Sequence, residues 1–519
     1  MDRRRSRCVL SALLYLVSGA ALPSSGTLTA YGLGKSLRTQ AATPTAASEP
    51  APDAGVRAIG QPTASHVTLD ERSHDHLAQP YVDTGGARIN VEGLPAGAGS
   101  VSGAVGNASY VQLADGALAI YDKVIGRRQF GPATVAGVFA GAGRSAAMQA
   151  CRLHHARGAV ISHDQVAERW VVSFRVVLRD TLLHPSYYQC IAVSAGADAA
   201  GAYYRYAIEM KNVRGAAQYF DDPKLAIWPG AFYLSFNLFE GSAGRFLGAR
   251  VCGVGRQALL NGAAAPIRCR DTGTDVGALT PGAWSGANHP QSAPPVALLT
   301  LGASGKNLQL LRFSYISGRF GQTVTLPVAA FATAGSETLI GQSPPGAPLA
   351  PMADRLAPQA VFRKAAASAV LVANHSVRLP GGRIGIRWYQ IDDPLGAARV
   401  VQQGTLGAGQ DSRWMGAIGV DQAGNMAIGY ALAGADTGPG FRYTGRSAGD
   451  QPSTMQAEEI IVNGNGVATQ GDILHRASGS LALDPGDECT FWATQRYVAV
   501  TGAATWRTRI VSFRFRSCP

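Results

Sequence analysis

Charge is scarce in this sequence: only 15% of its 519 residues are Asp, Glu, Lys or Arg. A nucleic-acid binder concentrates basic residues in a stripe. The arginines here are scattered, so nucleic acid is excluded as a partner. Arginine far outnumbers lysine, which reflects compositional bias rather than a binding function. Long apolar runs are missing too. A bilayer-spanning helix needs about 20 consecutive apolar residues, and no stretch reaches that length. There is no Cys-x-x-Cys pair and no Cys/His cluster at zinc spacing, so no metal site is expected. No motif specifies a cofactor. Long amphipathic helices are also absent, and only Arg256–Leu260 and residues 359–367 suggest short helical turns.

What is present begins with an export signal. Asp2, Arg3, Arg4, Arg5 and Arg7 precede the apolar stretch from Cys8 to Val17, which gives way to the small residues Ser18, Gly19, Ala20 and Ala21. That order describes a cleavable secretory leader, assigned to residues 1–25. The pair Arg3-Arg4 lacks the apolar residue that a twin-arginine signal places close behind it, so ordinary export to the periplasm, cell surface or medium is expected. The leader carries +3 of the formal net charge of +12 and leaves +9. Residues 26–94 are rich in Ala, Pro, Thr and Ser, as in Thr43-Pro44-Thr45-Ala46-Ala47-Ser48. Such a segment buries too little surface to fold and is expected to be a disordered linker. Within it, Gly32-Leu33-Gly34-Lys35-Ser36 has the look of a phosphate-binding loop, but Thr29 stands in place of the opening glycine and no strand is expected before it.

Without the leader six cysteines remain: Cys151, Cys190, Cys252, Cys269, Cys489 and Cys518. An even number in an exported chain points to disulfides. Many connectivities are open, but pairing sequence neighbours costs least in loop closure. The expected bridges are Cys151 with Cys190, Cys252 with Cys269, and Cys489 with Cys518.

Beyond about residue 95 the pattern is one of short β-rich runs separated by Gly, Asp, Asn and Pro turns. A weak repeat recurs at Asp164, Asp421 and Asp484, each following an apolar strand and opening a turn toward the next, so each reads as a hairpin tip. Repeated hairpins over residues 95–519 suggest radial repetition. The expected fold is all-β, a single β-propeller of about seven four-stranded blades. Two stacked sandwiches are the alternative.

Several segments strengthen this reading: Asp221-Asp222-Pro223-Lys224 leading to Trp228-Pro229, Arg413-Trp414-Met415-Gly416, Arg442-Tyr443-Thr444-Gly445-Arg446 and Asp487-Glu488-Cys489-Thr490-Phe491-Trp492. From about Gly103 onward the chain resembles a largely uncharacterised group of exported bacterial β-propeller-like proteins. The resemblance implies the fold and says little about activity. Two acidic turns usual in that group are replaced here by Gly99-Ser100-Val101-Ser102-Gly103 and Arg157-Gly158-Ala159, and a third element survives only as Gly471-Asp472-Ile473-Leu474.

For chemistry, Gly445-Arg446-Ser447-Ala448-Gly449 matches a nucleophile elbow in letters only, because Asp450-Gln451-Pro452 would stop the helix that should follow. Asp222, His375 and Asp472 are the candidate acid–base residues. Asp221, Lys224, Arg387, Arg413 and Arg442 are the candidate ligand contacts, since a planar guanidinium suits a carboxylate. Bland readings stand beside these: Asp221 and Asp222 capping a turn, a hydrogen-bonded histidine, and arginines bracing tryptophan-bearing strands. Two functions remain open. One is a glycoside hydrolase or polysaccharide lyase acting on an extracellular, acidic polysaccharide in the central funnel. The other is a non-catalytic binding, adhesion or structural surface module. A monomer without a membrane span is expected in either case.

Overall fold

Strands joined by tight turns pair with their sequence neighbours, and most of the sheets are built around runs of four such strands. The computed structural model describes residues 24–39, 82–96, 100–178, 186–210, 218–240, 244–288, 292–333, 338–364, 368–470, 479–503 and 505–519. The 101–134 sheet holds Val101–Val105, Ser109–Ala114, Ala117–Asp122 and Arg128–Thr134. The 157–209 sheet holds Arg157–Asp164, Arg169–Leu178, Ser186–Ser194 and Tyr203–Glu209. In the 218–271 sheet, Gln218–Ile227, Ala231–Glu240, Arg245–Gly255 and Ala265–Asp271 follow in order, and Ser24–Leu28 adds to the last of them.

A nine-stranded sheet comes next. It consists of two antiparallel meanders, one starting at Thr280–Ser285 and the other at Ala360–Lys364, and these two strands pair in parallel. The 412–464 sheet contains Ser412–Val420, Met426–Ala433, Gly438–Arg446 and Glu459–Gly464. In the last sheet, Ser480–Leu483, Thr490–Val498 and Trp506–Arg514 are completed by Ile89–Glu92 from the other end of the chain.

The first strands of the successive meanders neighbour one another in chain order, and Ser480–Leu483 returns to Val101–Val105, so the ring closes. Radially arranged antiparallel meanders around an axis are a β-propeller. Small residues in the first strands, such as Gly103, Ala104, Ala159 and Gly282, let these strands crowd the axis. Larger side chains fill the space between sheets: Trp388 packs with Ile418, Met426 and Tyr430 across two of them. Gln112 locks the closure. Its amide donates to Thr494 and Thr508 at 2.7 and 3.0 Å, while its oxygen accepts from the Leu94 backbone at 2.7 Å.

Asp164, Asp421 and Asp484 do occupy hairpin tips between the first and second strands of their sheets. Two of them also tie neighbouring sheets: Asp164 takes a two-pronged bond from Arg256 at 2.7 and 2.8 Å, and Asp484 accepts from Lys123 at 2.8 Å. All three expected disulfides are formed. Among the described residues, no helix is long and apolar enough to cross a membrane.

Two expectations are corrected here. Arg256–Leu260 is a short helix, but Ala360–Lys364 is a strand rather than part of a helical turn. Being covered on both faces, it has Val361 and Phe362 buried in succession, and a run of buried apolar residues does not distinguish helix from strand. The 26–94 region is not wholly linker. Ser24–Leu28 pairs at a sheet edge, Leu28 and Leu37 are buried, Gly34 donates to the Tyr203 carbonyl at 2.9 Å, and Ile89–Glu92 completes the last sheet. Composition missed these pieces because backbone pairing, not a large apolar face, holds them.

Candidate functional site

The strand Gln218–Ile227 carries a bulge between Asp221 and Lys224, where Asp222 takes a positive φ of 52°. A bulge re-aims side chains, and this one turns two adjacent carboxylates to different partners. Asp221 is fully buried; it accepts from Arg175 at 3.3 Å and from the Asp222 backbone at 2.7 Å. Asp222 accepts from Lys224 at 2.9 Å and from Arg355 at 3.4 Å. Arg355 in turn forks onto Asp354 with two bonds of 2.8 Å. Burial works against the Arg355 charge, but Asp354 and then Asp222 and Asp221 outweigh it and hold the guanidinium protonated well above its usual range.

Beside this cluster is a cavity of ≈ 40 Å³, bordered by Asp222, Arg355, Asn374, Ser376, Met415 and Gly416 among others. Residues 338–358 lie across this end of the ring. Ile340 and Leu349 pair with each other and bury against Val101 and Trp414, and the Gln342 amide reaches the Ala468 carbonyl at 3.2 Å. At this end the chain itself therefore narrows the funnel expected from the sequence to the ≈ 40 Å³ cavity. Near the far ends of the first strands a second cavity of ≈ 90 Å³ is lined by His163, Gln165, Trp284 and Gln359. Burial lowers the His163 pKa to about 4.

The other candidates separate. His375 is buried on the opposite face of its strand from Asn374, bonds the Tyr389 hydroxyl at 2.9 Å and meets the Phe331 ring. Burial first, then Arg387, pushes its pKa down to about 3. It does not join Asp222 in an acid–base pair. Arg387 donates to Thr405 at 2.6 Å and to the Ala329 carbonyl at 3.2 Å, which is a brace. Asp472 lies outside the described residues. Gly445 and Arg446 end a strand, and the Ser447 backbone donates to Asp450 at 2.8 Å in a turn, so no elbow forms.

Arg413 and Arg442 do come together, on the 412–464 sheet. A groove of ≈ 530 Å³ there is lined by these two arginines with Asp411, Asp436, Glu458 and Asn463. Arg413 forks onto Glu458, which also receives the Tyr430 hydroxyl. Burial alone would raise the Glu458 pKa, but Arg413, Tyr430 and Arg442 lower it below the usual carboxylate range. Arg442 donates to Asn463 at 2.6 Å and to the Val462 carbonyl at 3.0 Å. Asp436 stands exposed at the rim. The sequence reading missed Asp411, Asp436 and Glu458, as well as Arg175, Asp354 and Arg355. Among the described residues, no group of three or more His, Cys, Asp or Glu is placed to hold a metal ion.

Neither a protein-family profile nor a curated protein matches this sequence. Solved structures similar in shape include a protein of unknown function from Dyadobacter fermentans, 11% identical with a TM-score of 0.38 over 70% of this chain and 95% of that one. An endosialidase of phage phi92 is 9% identical with a TM-score of 0.39, over 67% of this chain and 66% of that one. An alpha-L-arabinanase of Penicillium chrysogenum is 8% identical with a TM-score of 0.35, over 84% of this chain and all (100%) of that one.

Proposed function

We propose that this chain is an exported, seven-bladed, monomeric propeller that binds an extracellular glycan in the groove of the 412–464 sheet without cleaving it. Counting the nine-stranded sheet as two blades joined at their first strands gives the seven. The three disulfides favour an oxidising compartment. The observation that carries the binding site is size. The groove has ≈ 530 Å³, against ≈ 40 and ≈ 90 Å³ for the two axial cavities, and ligand sites usually span roughly 300–1,000 Å³. Its rim offers carboxylate, amide and guanidinium groups, which suit sugar hydroxyls.

Chemistry counts against cleavage. A glycosidase needs one carboxyl group kept protonated and a second carboxylate free to act. Here Asp221, Asp222 and Asp354 all accept from cations, and Glu458 is held ionised by Arg413.

Titration with neutral and acidic oligosaccharides, with product assays on every binder, tests the reading. Asp436→Ala should weaken binding about tenfold while leaving the melting temperature unchanged, because Asp436 is exposed and losing a hydrogen bond to a charged group costs about 1.5–3 kcal/mol. Arg413→Ala should instead destabilise the fold by about 1.5–3 kcal/mol, because it removes the forked, charged hydrogen bonds to half-buried Glu458. Absence of binding by every glycan defeats the proposal, and release of product defeats its non-catalytic half.

A further inference from the structure

The Asn374 side chain is an exception to the rule that buried polar groups are paired. The residue is 1% exposed, lines the ≈ 40 Å³ axial cavity, and has no hydrogen-bond partner for either Nδ2 or Oδ1 among the described residues. The backbone around the cavity is shaped to keep this space. Three non-glycine residues with positive φ border it: Asp222 at 52°, Met352 at 49° and Met415 at 54°. Such conformations cost energy and collect where a guest or a reaction requires them. At Gly416 a Cβ would approach Asn374 Oδ1 to 2.6 Å, so the bulge in Ser412–Val420 leaves room for the amide and for no further side chain.

The chemistry of the occupant follows from what the cavity offers. Asn374 presents a donor and an acceptor, so the guest must both accept and donate. A bare cation would leave Nδ2 unpaired, and a halide would leave Oδ1 unpaired. Among the described residues net charge points the same way: Asp221, Asp222 and Asp354 face Arg175, Lys224 and Arg355. Size sets the upper limit. The space accommodates about two or three waters. We infer that the axial cavity is a binding site for neutral hydroxylic guests, filled with ordered water, which bonds Asn374 of one sheet to the Asp222–Arg355 pair and so joins the 338–358 segment to the ring.

Two measurements decide it. A high-resolution crystal structure should show one to three peaks within hydrogen-bond distance of Asn374 Nδ2 and Oδ1. An empty cavity overturns the inference, and so does an anomalous peak there after bromide or rubidium soaking. The variant Asn374→Leu, similar in size but apolar, separates wet from dry by sign. With water present, the change strands that water and lowers Tm by about 2 °C or more. In a dry cavity it removes an unpaired amide, and Tm rises. A rise overturns the inference, and the wild-type crystal structure decides should the variant not fold.

Discussion

Neighbouring residues on one strand do different work, and Asn374, His375 and Ser376 illustrate it. Strand side chains alternate between faces, so Asn374 and Ser376 border the axial cavity while His375 packs against Phe331 and Tyr389. The sequence singled out the histidine because its chemistry is conspicuous, but its neighbours hold the site. The same limit applies to Asp221, Asp222 and Lys224, which were legible as a group. Their partners Arg175, Asp354 and Arg355 come from other parts of the chain and carry no local signal.

Buried His375 and half-buried His163 have a measurable consequence. The pKa of His375 is lowered to about 3 and that of His163 to about 4, chiefly by burial, against about 6.5 in the unfolded chain. Between these values the unfolded chain binds more protons, so the stability is fully present above pH ~6.5 and is lost as pH falls toward the folded values. Glu458 and Asp487, whose pKa values are lowered, lose their contribution only below about pH 4.5, near the ordinary carboxylate range. Melting temperatures should therefore fall from pH 6.5 to 4.5, and His375→Gln should flatten that slope. An unchanged slope would mean that His375 is not held neutral.

Single strands and their turns were the most legible part of the sequence, because each declares itself by apolar runs and turn residues. The helix Ala146–Leu153 was not, being only eight residues long, capped by Ser145 and fixed through Cys151. Cysteine pairing was legible because chain economy and the meander agree: neighbours in sequence are neighbours in a sheet. Cys252 and Cys269 face each other across adjacent strands, with Cα atoms 4.0 Å apart. Cys489 and Cys518 join the start of Thr490–Val498 to the chain's end after Trp506–Arg514. Denatured, unreduced protein should take up no thiol label at these six positions. Removing the Cys489–Cys518 bridge should cost about 2–4 kcal/mol and free Ser517, which bonds Asn425 of the neighbouring sheet at 3.1 Å. Labelling of any of the six cysteines would contradict the pairing.

At the scale of the ring, the two ends of the chain have unequal tasks. Residues 24–39 strap the outside of two sheets: Ser24–Leu28 covers the edge of Ala265–Asp271, and the Tyr31 and Ala140 carbonyls take up the Arg205 guanidinium. Residues 82–96 close the ring. Ile89–Glu92 is the outer strand of the last sheet, and the Leu94 backbone enters the Gln112 knot that joins the first sheet to the last. None of this is visible in composition, because both pieces act through backbone bonds at positions remote in sequence. Truncations should therefore behave differently. A chain starting at residue 82 should keep a cooperative transition and lose stability modestly, since it uncovers one sheet edge, the neighbours of Leu28 and Leu37 and one carbonyl partner of Arg205, and exposed edges invite association. A chain starting at residue 97 also loses the closing strand. Leu94 and Val82 no longer cover their clusters, and the amide groups of Trp506–Arg514 lose their partners. Urea denaturation of the second truncation should show a lower midpoint and a broadened, multi-step transition, as expected when cooperativity around a ring is interrupted. Equal midpoints for the two truncations would show that the ring is held by its inter-sheet packing alone and that the closing strand adds little.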